Sequence, residues 1–339
     1  MSRADGVRIV VIFLFCTPKC TNLPSARRLF IFIYLFAWLL RFLETGKFEL
    51  SSLSSGGARD VEKLLFVKSI GSAVRDAKRG QDSMMIKFIR PRLITFDVTG
   101  TLLMTKLEEH YVDIGSQHGL SVDAGKLARS FKNSFHKLSV EHPIYGKHTG
   151  IGWENWWRKI VHHVFKDQHS YVSDATLDKV ANSLIRCYGT SMCWHKYPGT
   201  IELLEYLRKK GLIMGVISNF DERLEAILED TRIRFYFSFV LTSYDFGMEK
   251  PHTSIFDEAL RLTKERHSID VAPQEAIHIG DSVSNDYNGA KNANWNALLI
   301  KRDNDVTGDK EIPAEYIFRN LEDLRIYFST LLNSDAKRI

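Results

Sequence analysis

The 339-residue chain has only four cysteines, Cys16, Cys20, Cys187 and Cys193, and no Asn-x-Ser/Thr glycosylation acceptor. Four thiols so placed make no disulfide framework, and the two absences together point to a reducing, intracellular setting, cytoplasmic or nuclear. Charge of one sign is also lacking over most of the length. The formal net charge of +5 is carried by residues 1–84, with 13 Lys and Arg against 7 Asp and Glu, which leaves 33 against 34 for residues 85–339. A nucleic-acid partner needs basic residues clustered on the folded part, so none is expected.

Long apolar runs are missing as well. The longest, residues 29–40, has 12 residues and covers about 18 Å of a hydrocarbon core about 30 Å thick. With the shorter run at residues 9–16, three readings of residues 1–84 stay open. One is a membrane anchor that recruits Arg41, Phe42 and Leu43. Another is a mitochondrial presequence, since Asp5 is the only acid in the first 43 residues. The third is a non-core extension, with a Ser/Gly-rich linker at 51–83 and Met84 or Met85 as the effective start. Membrane contact is expected only through this segment.

What is present begins at Arg92, where short apolar runs alternate with helical patterns, as in a parallel sheet covered by helices. The expected strands are residues 93–96, 212–217, 237–241, 276–279 and 297–300, with helices at 201–210 and 255–263 between later ones. Four more helices are expected at 107–118, 124–138, 154–165 and 175–188, far more chain than a crossover needs. They read as a helical domain inserted after the first strand and returning at Tyr197-Pro198-Gly199. The fold class is therefore α/β, a Rossmann-like parallel sheet core with an inserted helical bundle.

Chemistry-bearing residues follow four of the strands. Asp97-Val98-Thr99-Gly100-Thr101 ends the first, Ser218-Asn219 the second, Glu249-Lys250-Pro251 comes after the third, and Gly280-Asp281-Ser282-Val283-Ser284-Asn285-Asp286 ends the fourth. Each alone reads as a turn or a helix cap. Together they fall at the carboxyl edge of a parallel sheet, where such folds bind ligands. Three carboxylates and one lysine there repel unless a cation sits among them, and hard oxygen ligands suit Mg²⁺.

In this order the four segments resemble the motifs of the haloacid dehalogenase-like hydrolase superfamily, with the insert in the position of its type-one helical cap, over about residues 86–335. More narrowly, Asp97-Val98-Thr99, Trp156-Trp157, Val216-Ile217-Ser218-Asn219-Phe220-Asp221 and Leu241-Thr242-Ser243 resemble the branch of the rhythmically expressed gene two product and the haloacid dehalogenase-like hydrolase domain-containing protein 3. In that branch the chain starts shortly before the nucleophile, which agrees with a start at Met85. The resemblance implies a core of residues 85–104 and 196–339 and a cap of residues 105–195. It makes Asp97 the nucleophile that forms an aspartyl phosphate, Ser218 and Asn219 the phosphate-binding pair, and Lys250 the group that offsets charge. Mg²⁺ would be held by Asp97, Asp281 and the backbone carbonyl of Thr99, with Asp286 orienting its waters or Lys250. The substrate would be a small phosphorylated metabolite.

Thr99 departs from that pattern, because the family's phosphatases carry an acid/base Asp there. Losing a positioned acid or base costs about 10² to 10⁴ in rate. Two functions follow: a Mg²⁺-dependent phosphatase of low or restricted activity, and a non-catalytic phosphoryl-ligand or protein-binding member. Dehalogenase chemistry must accept an anionic haloacid carboxylate, which Asp281 and Asp286 oppose. Gly-x-Ser-x-Gly and Gly-x-Gly-x-x-Gly are absent. His142, His148, His162 and His163 lack metal-ligand spacing and read as surface or structural. Trp153, Trp156 and Trp157 read as a core-facing helical stripe. The loop at 142–148 reads either as a cover over the site or as a solvated connection.

Overall fold

A computed structural model describes residues 90–302 and 312–334; the expectations for residues 1–84 lie outside the described residues. Leu93–Phe96 forms β1, apolar except for Thr95 and buried at all four positions. A strand buried on both faces belongs inside a parallel sheet. β1 accordingly pairs in parallel with β4 (Ile213–Ser218) on one side and β6 (Ala276–Gly280) on the other. The sheet has the order β5-β4-β1-β6-β7-β8, with β5 at Phe239–Thr242, β7 at Asn296–Ile300 and β8 at Ile317–Phe318. The five expected strands are all present, the first with the expected bounds and the others with ends shifted by at most two residues. β8, two residues long, is too short to leave a pattern.

Period-two alternation sends β1 side chains to two apolar layers. Ile94 and Phe96 pack with Leu203, Leu204 and Leu207 of the helix Thr200–Lys209 and with Leu324 and Phe328 of the helix Leu321–Ser334. Leu93 packs on the opposite face with Ile255, Phe256 and Ala259 of the helix Ser254–His267.

Between β1 and β4 the chain leaves through β2 (Leu103–Met104) and returns through β3 (His195–Lys196), which pair antiparallel. This ribbon marks both ends of the insert and was not anticipated. The insert holds α1 (Leu107–Gln117), α2 (Ala124–Glu141), α3 (Gly152–Lys166) and α4 (Asp174–Cys187). Their buried apolar faces, including Tyr111, Leu127, Ile160, Phe165 and Leu177, form a core of their own.

Two expectations need correction. Cys187 and Cys193 are joined as a disulfide, with Cα atoms 5.8 Å apart. After α4 the chain turns back on itself, Thr190 N–H donating to the Cys187 carbonyl at 3.1 Å, and a six-residue spacing does not reveal such a turn. The tryptophans divide. Trp156 is buried in the insert's core and Trp157 packs against that core, whereas Trp153 lies outside it, under the Arg223 guanidinium at 4.6 Å; the same guanidinium is 5.5 Å from the Trp157 ring centre. Among the described residues, no helix is long and apolar enough to cross a membrane.

Candidate active site

The carboxyl edge of the sheet brings Asp97, Ser218, Lys250, Asp281 and Asp286 to one cavity of about 420 Å³, which Thr99 and Asn219 also line. Asp97 leaves β1 with its N–H donating to the Ile279 carbonyl at 2.8 Å, so the sheet itself fixes its Cα. Its Oδ1 accepts from Ser218 Oγ at 3.0 Å and from Lys250 Nζ at 2.8 Å. Its Oδ2 has no hydrogen-bond partner among the described residues.

Lys250 is buried to within 2% of its surface. Its Nζ also donates to the Ile217 carbonyl at 2.7 Å and to Asp286 Oδ1 at 2.6 Å, which satisfies all three of its protons. Asn219 grips the same residue by the backbone, accepting from Lys250 N–H at 2.8 Å and donating to its carbonyl at 2.9 Å. Lys250 precedes a cis peptide bond to Pro251.

Asp286 lies in the single π-helical segment among the described residues, Val283–Asn288, a rare geometry that often occurs at functional sites. Its Oδ2 accepts from Ser282 N–H at 2.8 Å, and its Oδ1 accepts from His278 Nε2 at 3.1 Å. Thr95 Oγ1 sits 2.9 Å from His278 Nδ1, so the tautomer follows: Nε2–H donates to the carboxylate and Nδ1 accepts from the hydroxyl. The only mark of His278 in the sequence is a lone polar ring in an apolar strand, and its partners come from other strands and turns that the local pattern does not show. Gly280 and Gly100 permit the close approaches, since a Cβ on either would overlap the Asp286 or Asp281 carboxylate.

The charges are unevenly matched. Burial works against the Lys250 ammonium, but Asp286 and Asp97 outweigh it and hold its pKa above the ordinary value. Burial alone would raise Asp286; the Lys250 charge and the His278 hydrogen bond hold it well below the usual carboxylate range. Asp97 is left under-compensated. Burial pushes it up to about 7, against the pull of Lys250 and with the repulsion of Asp286 and Asp281. Asp281 stands exposed at the mouth, yet enough protein surrounds it for burial, with the charge of Asp286, to push it up to about 6.

This imbalance tests the fit of a metal. Asp97, Asp281 and Asp286 each offer an oxygen within 4.8 Å of the others. One ammonium faces three acids, so the donor set is hard, anionic and one or two positive charges short, as a site for Mg²⁺ requires.

The loop after Val98 turns through Gly100, and Thr99 is exposed on it. Arg302 holds the loop from across the molecule, donating to the carbonyls of Gly100 and Thr101 while its guanidinium stacks 3.4 Å from the centre of the Tyr197 ring. The loop at 142–148 covers the site through Ile144 and Tyr145. Tyr145 lines the cavity and its hydroxyl donates to the Asn219 carbonyl at 2.7 Å, and burial pushes the phenol far above its usual range. The histidines of that loop turn away: His142 meets Thr149 and Lys159, and His148 lies 2.9 Å from the Gly247 carbonyl. His162 pairs with Asp178 at 3.0 Å, in keeping with a structural role.

A family model described as a haloacid dehalogenase-like hydrolase matches residues 91–294. The chain is 35% identical over 247 residues to the Rhythmically expressed gene 2 protein of Drosophila melanogaster, covering 68% of this chain and 94% of that one. It is 35% identical over 236 residues to haloacid dehalogenase-like hydrolase domain-containing protein 3 of Xenopus laevis, covering 69% and 93%. Among solved structures, the magnesium-bound orthorhombic form of the Bacillus subtilis HAD-hydrolase YfnB matches with a TM-score of 0.54 and 18% identity over 72% of this chain and 100% of that one, a likeness of fold.

Proposed function

The chain belongs to the haloacid dehalogenase-like hydrolases, and from that premise we propose a phosphohydrolase of restricted activity that acts on a small phosphorylated metabolite through an aspartyl phosphate on Asp97. Residues 105–195 serve as its cap over a core of residues 85–104 and 196–339. The observation that carries the reading is the division of labour on Asp97: Ser218 and Lys250 both bind Oδ1, which leaves Oδ2 to attack.

Asp97 Oδ2 attacks phosphorus, and the bond to the leaving oxygen breaks. Ser218 and Asn219 hold the phosphoryl oxygens, and the Lys250 ammonium offsets the charge that gathers on them, with no reorganisation needed because its three donors are already fixed. Asp286, held by His278 and the Ser282 N–H, keeps Lys250 in place. Asp97, Asp281 and the Thr99 carbonyl would hold Mg²⁺, which when bound neutralises the acids and polarises the phosphate. The unbalanced acids also oppose an anionic haloacid, which disfavours dehalogenation.

Thr99 supports a second reading, a phosphoryl-binding protein without turnover, because a threonine at that position supplies no proton. Phosphate release from aryl phosphates, measured with and without Mg²⁺ and with Asp97→Asn as the blank, separates the two. Mg²⁺-dependent release that Asp97→Asn abolishes is the expected result. Phosphate binding with no release by either protein would replace the hydrolase with the binding protein.

A further inference from the structure

Thr99 leaves the proposed reaction short of a group to protonate the leaving oxygen and later to take a proton from water. Six titratable side chains line the cavity: Asp97, Tyr145, Glu249, Lys250, Asp281 and Asp286. Five are engaged. Asp97 is the nucleophile, Lys250 and Asp286 bind each other, Tyr145 donates to the Asn219 carbonyl, and Asp281 belongs to the acid cluster. The histidines of the loop at 142–148 do not line the cavity.

Glu249 remains. Its carboxyl is half-buried and has neither a hydrogen bond nor an ion pair among the described residues. Its backbone does not drift, because the next residue is clamped on both sides by Asn219 and its own carbonyl accepts from His252 N–H at 3.0 Å. The same clamp fixes the Lys250 backbone, and Lys250 touches Asp97, so Glu249 is held in register with the nucleophile. An unpaired acid at a cleft wall is a poor structural element and a good proton carrier.

The geometry points to Glu249 as the acid and base of this hydrolase, in place of the residue missing at Thr99. Burial pushes its pKa above the ordinary value, which keeps a larger protonated fraction near neutrality. In the first step the Asp97 carboxylate bonds to phosphorus, the bond from phosphorus to the leaving oxygen breaks, and that oxygen takes the Glu249 proton and departs as an alcohol. In the second a water oxygen bonds to phosphorus, its proton passes to the Glu249 carboxylate, and the bond to Asp97 breaks to give inorganic phosphate. Both acids return to their starting forms.

This rests on the hydrolase reading, and the test keeps the two apart. Full-length protein is assayed with Mg²⁺ on p-nitrophenyl phosphate, whose leaving group hardly needs a proton, and on glycerol 2-phosphate, whose leaving group does. Glu249→Gln is expected to lower kcat/KM by about 10² to 10⁴ on the alkyl ester and by less than about tenfold on the aryl ester. It should also give a burst of nitrophenolate as the aspartyl phosphate waits for water. Glu249→Asp should recover part of the alkyl rate, and Thr99→Asp in the Glu249→Gln background should recover it by the other route. Asp97-dependent turnover with an alkyl-to-aryl ratio unchanged by Glu249→Gln overturns the assignment alone. No Asp97-dependent release from either ester by the wild type overturns the hydrolase reading and the assignment with it.

Discussion

Lys250 and its three acceptors make the site an ion cluster that is closed on one side and open on the other. Lys250→Met would leave Asp97 and Asp286 buried with no counter-charge, and a buried pair broken by loss of one partner destabilises by about 3–5 kcal/mol; urea unfolding of the metal-free protein measures it. Asp97→Asn acts in the opposite direction. It removes the carboxylate that Asp286 and Asp281 repel, so without Mg²⁺ the variant is expected to melt no lower than the wild type even as it loses the proposed reaction. A lower melting temperature would mean that the Asp97 contacts outweigh the repulsion. His278 gives the site an acid limit. Burial, with the Lys250 charge, lowers its pKa from 6.5 to about 4, so between those values the unfolded chain binds a proton that the folded one refuses. Stability from this residue is complete above about pH 6.5 and drains as pH falls toward 4, with a slope of at most about 1.4 kcal/mol per pH unit. His278→Gln should flatten the stability profile in that window. The site's anionic and cationic residues were legible because each follows an apolar run. His278, Tyr145 and Arg302 were not, since their partners lie on other strands and loops and only folding brings them together.

Among the elements, β1 and its neighbours were the easiest to read, because a strand buried on both faces is apolar throughout and has no competing pattern. The helices of the insert were equally plain from their 3.6-residue periodicity. What periodicity hides is which neighbour a stripe faces. Trp156 and Trp157 are adjacent on α3, yet one is buried in the bundle and the other donates from Nε1 to Asp221 Oδ2 at 2.8 Å. Asp221 is fully buried, accepts from Arg223 as well, and lies three residues past the end of β4, so this contact ties α3 to the segment that carries Ser218 and Asn219. A hydrogen bond to a charged group contributes about 1.5–3 kcal/mol, and Trp157→Phe should lower stability by about 2 kcal/mol on chemical denaturation. A change below about 0.5 kcal/mol, the scatter of surface substitutions, would show that Arg223 alone satisfies Asp221. The short ribbon of β2 and β3 escaped notice for a different reason: two-residue strands have no period.

At the scale of the molecule, the metal is expected to act as a ligand of the folded state alone. Mg²⁺ at a hundredfold over its dissociation constant stabilises by about 2.7 kcal/mol, and for a body of this size each kcal/mol raises Tm by about 2–4 °C. Asp281→Ala should abolish the rise, and a melting curve indifferent to Mg²⁺ in the wild type would remove the metal from the site. The Cys187–Cys193 bridge closes a short loop, and by chain entropy its reduction should cost about 2 kcal/mol, read as a fall in Tm with dithiothreitol. The central place of β1 has a further consequence, for the time order of synthesis. β1 leaves the ribosome more than a hundred residues ahead of β4 and further still ahead of β6, its two pairing partners, a wait of about 6–23 s for the first and about 9–36 s for the second at ordinary elongation rates of about 5–20 residues per second. During that wait the helices α1 to α4, which have a core of their own, can collapse first. The strand that carries Asp97 is thus made early and seated late, and the nascent chain must hold an unpaired apolar strand in solution until its neighbours arrive.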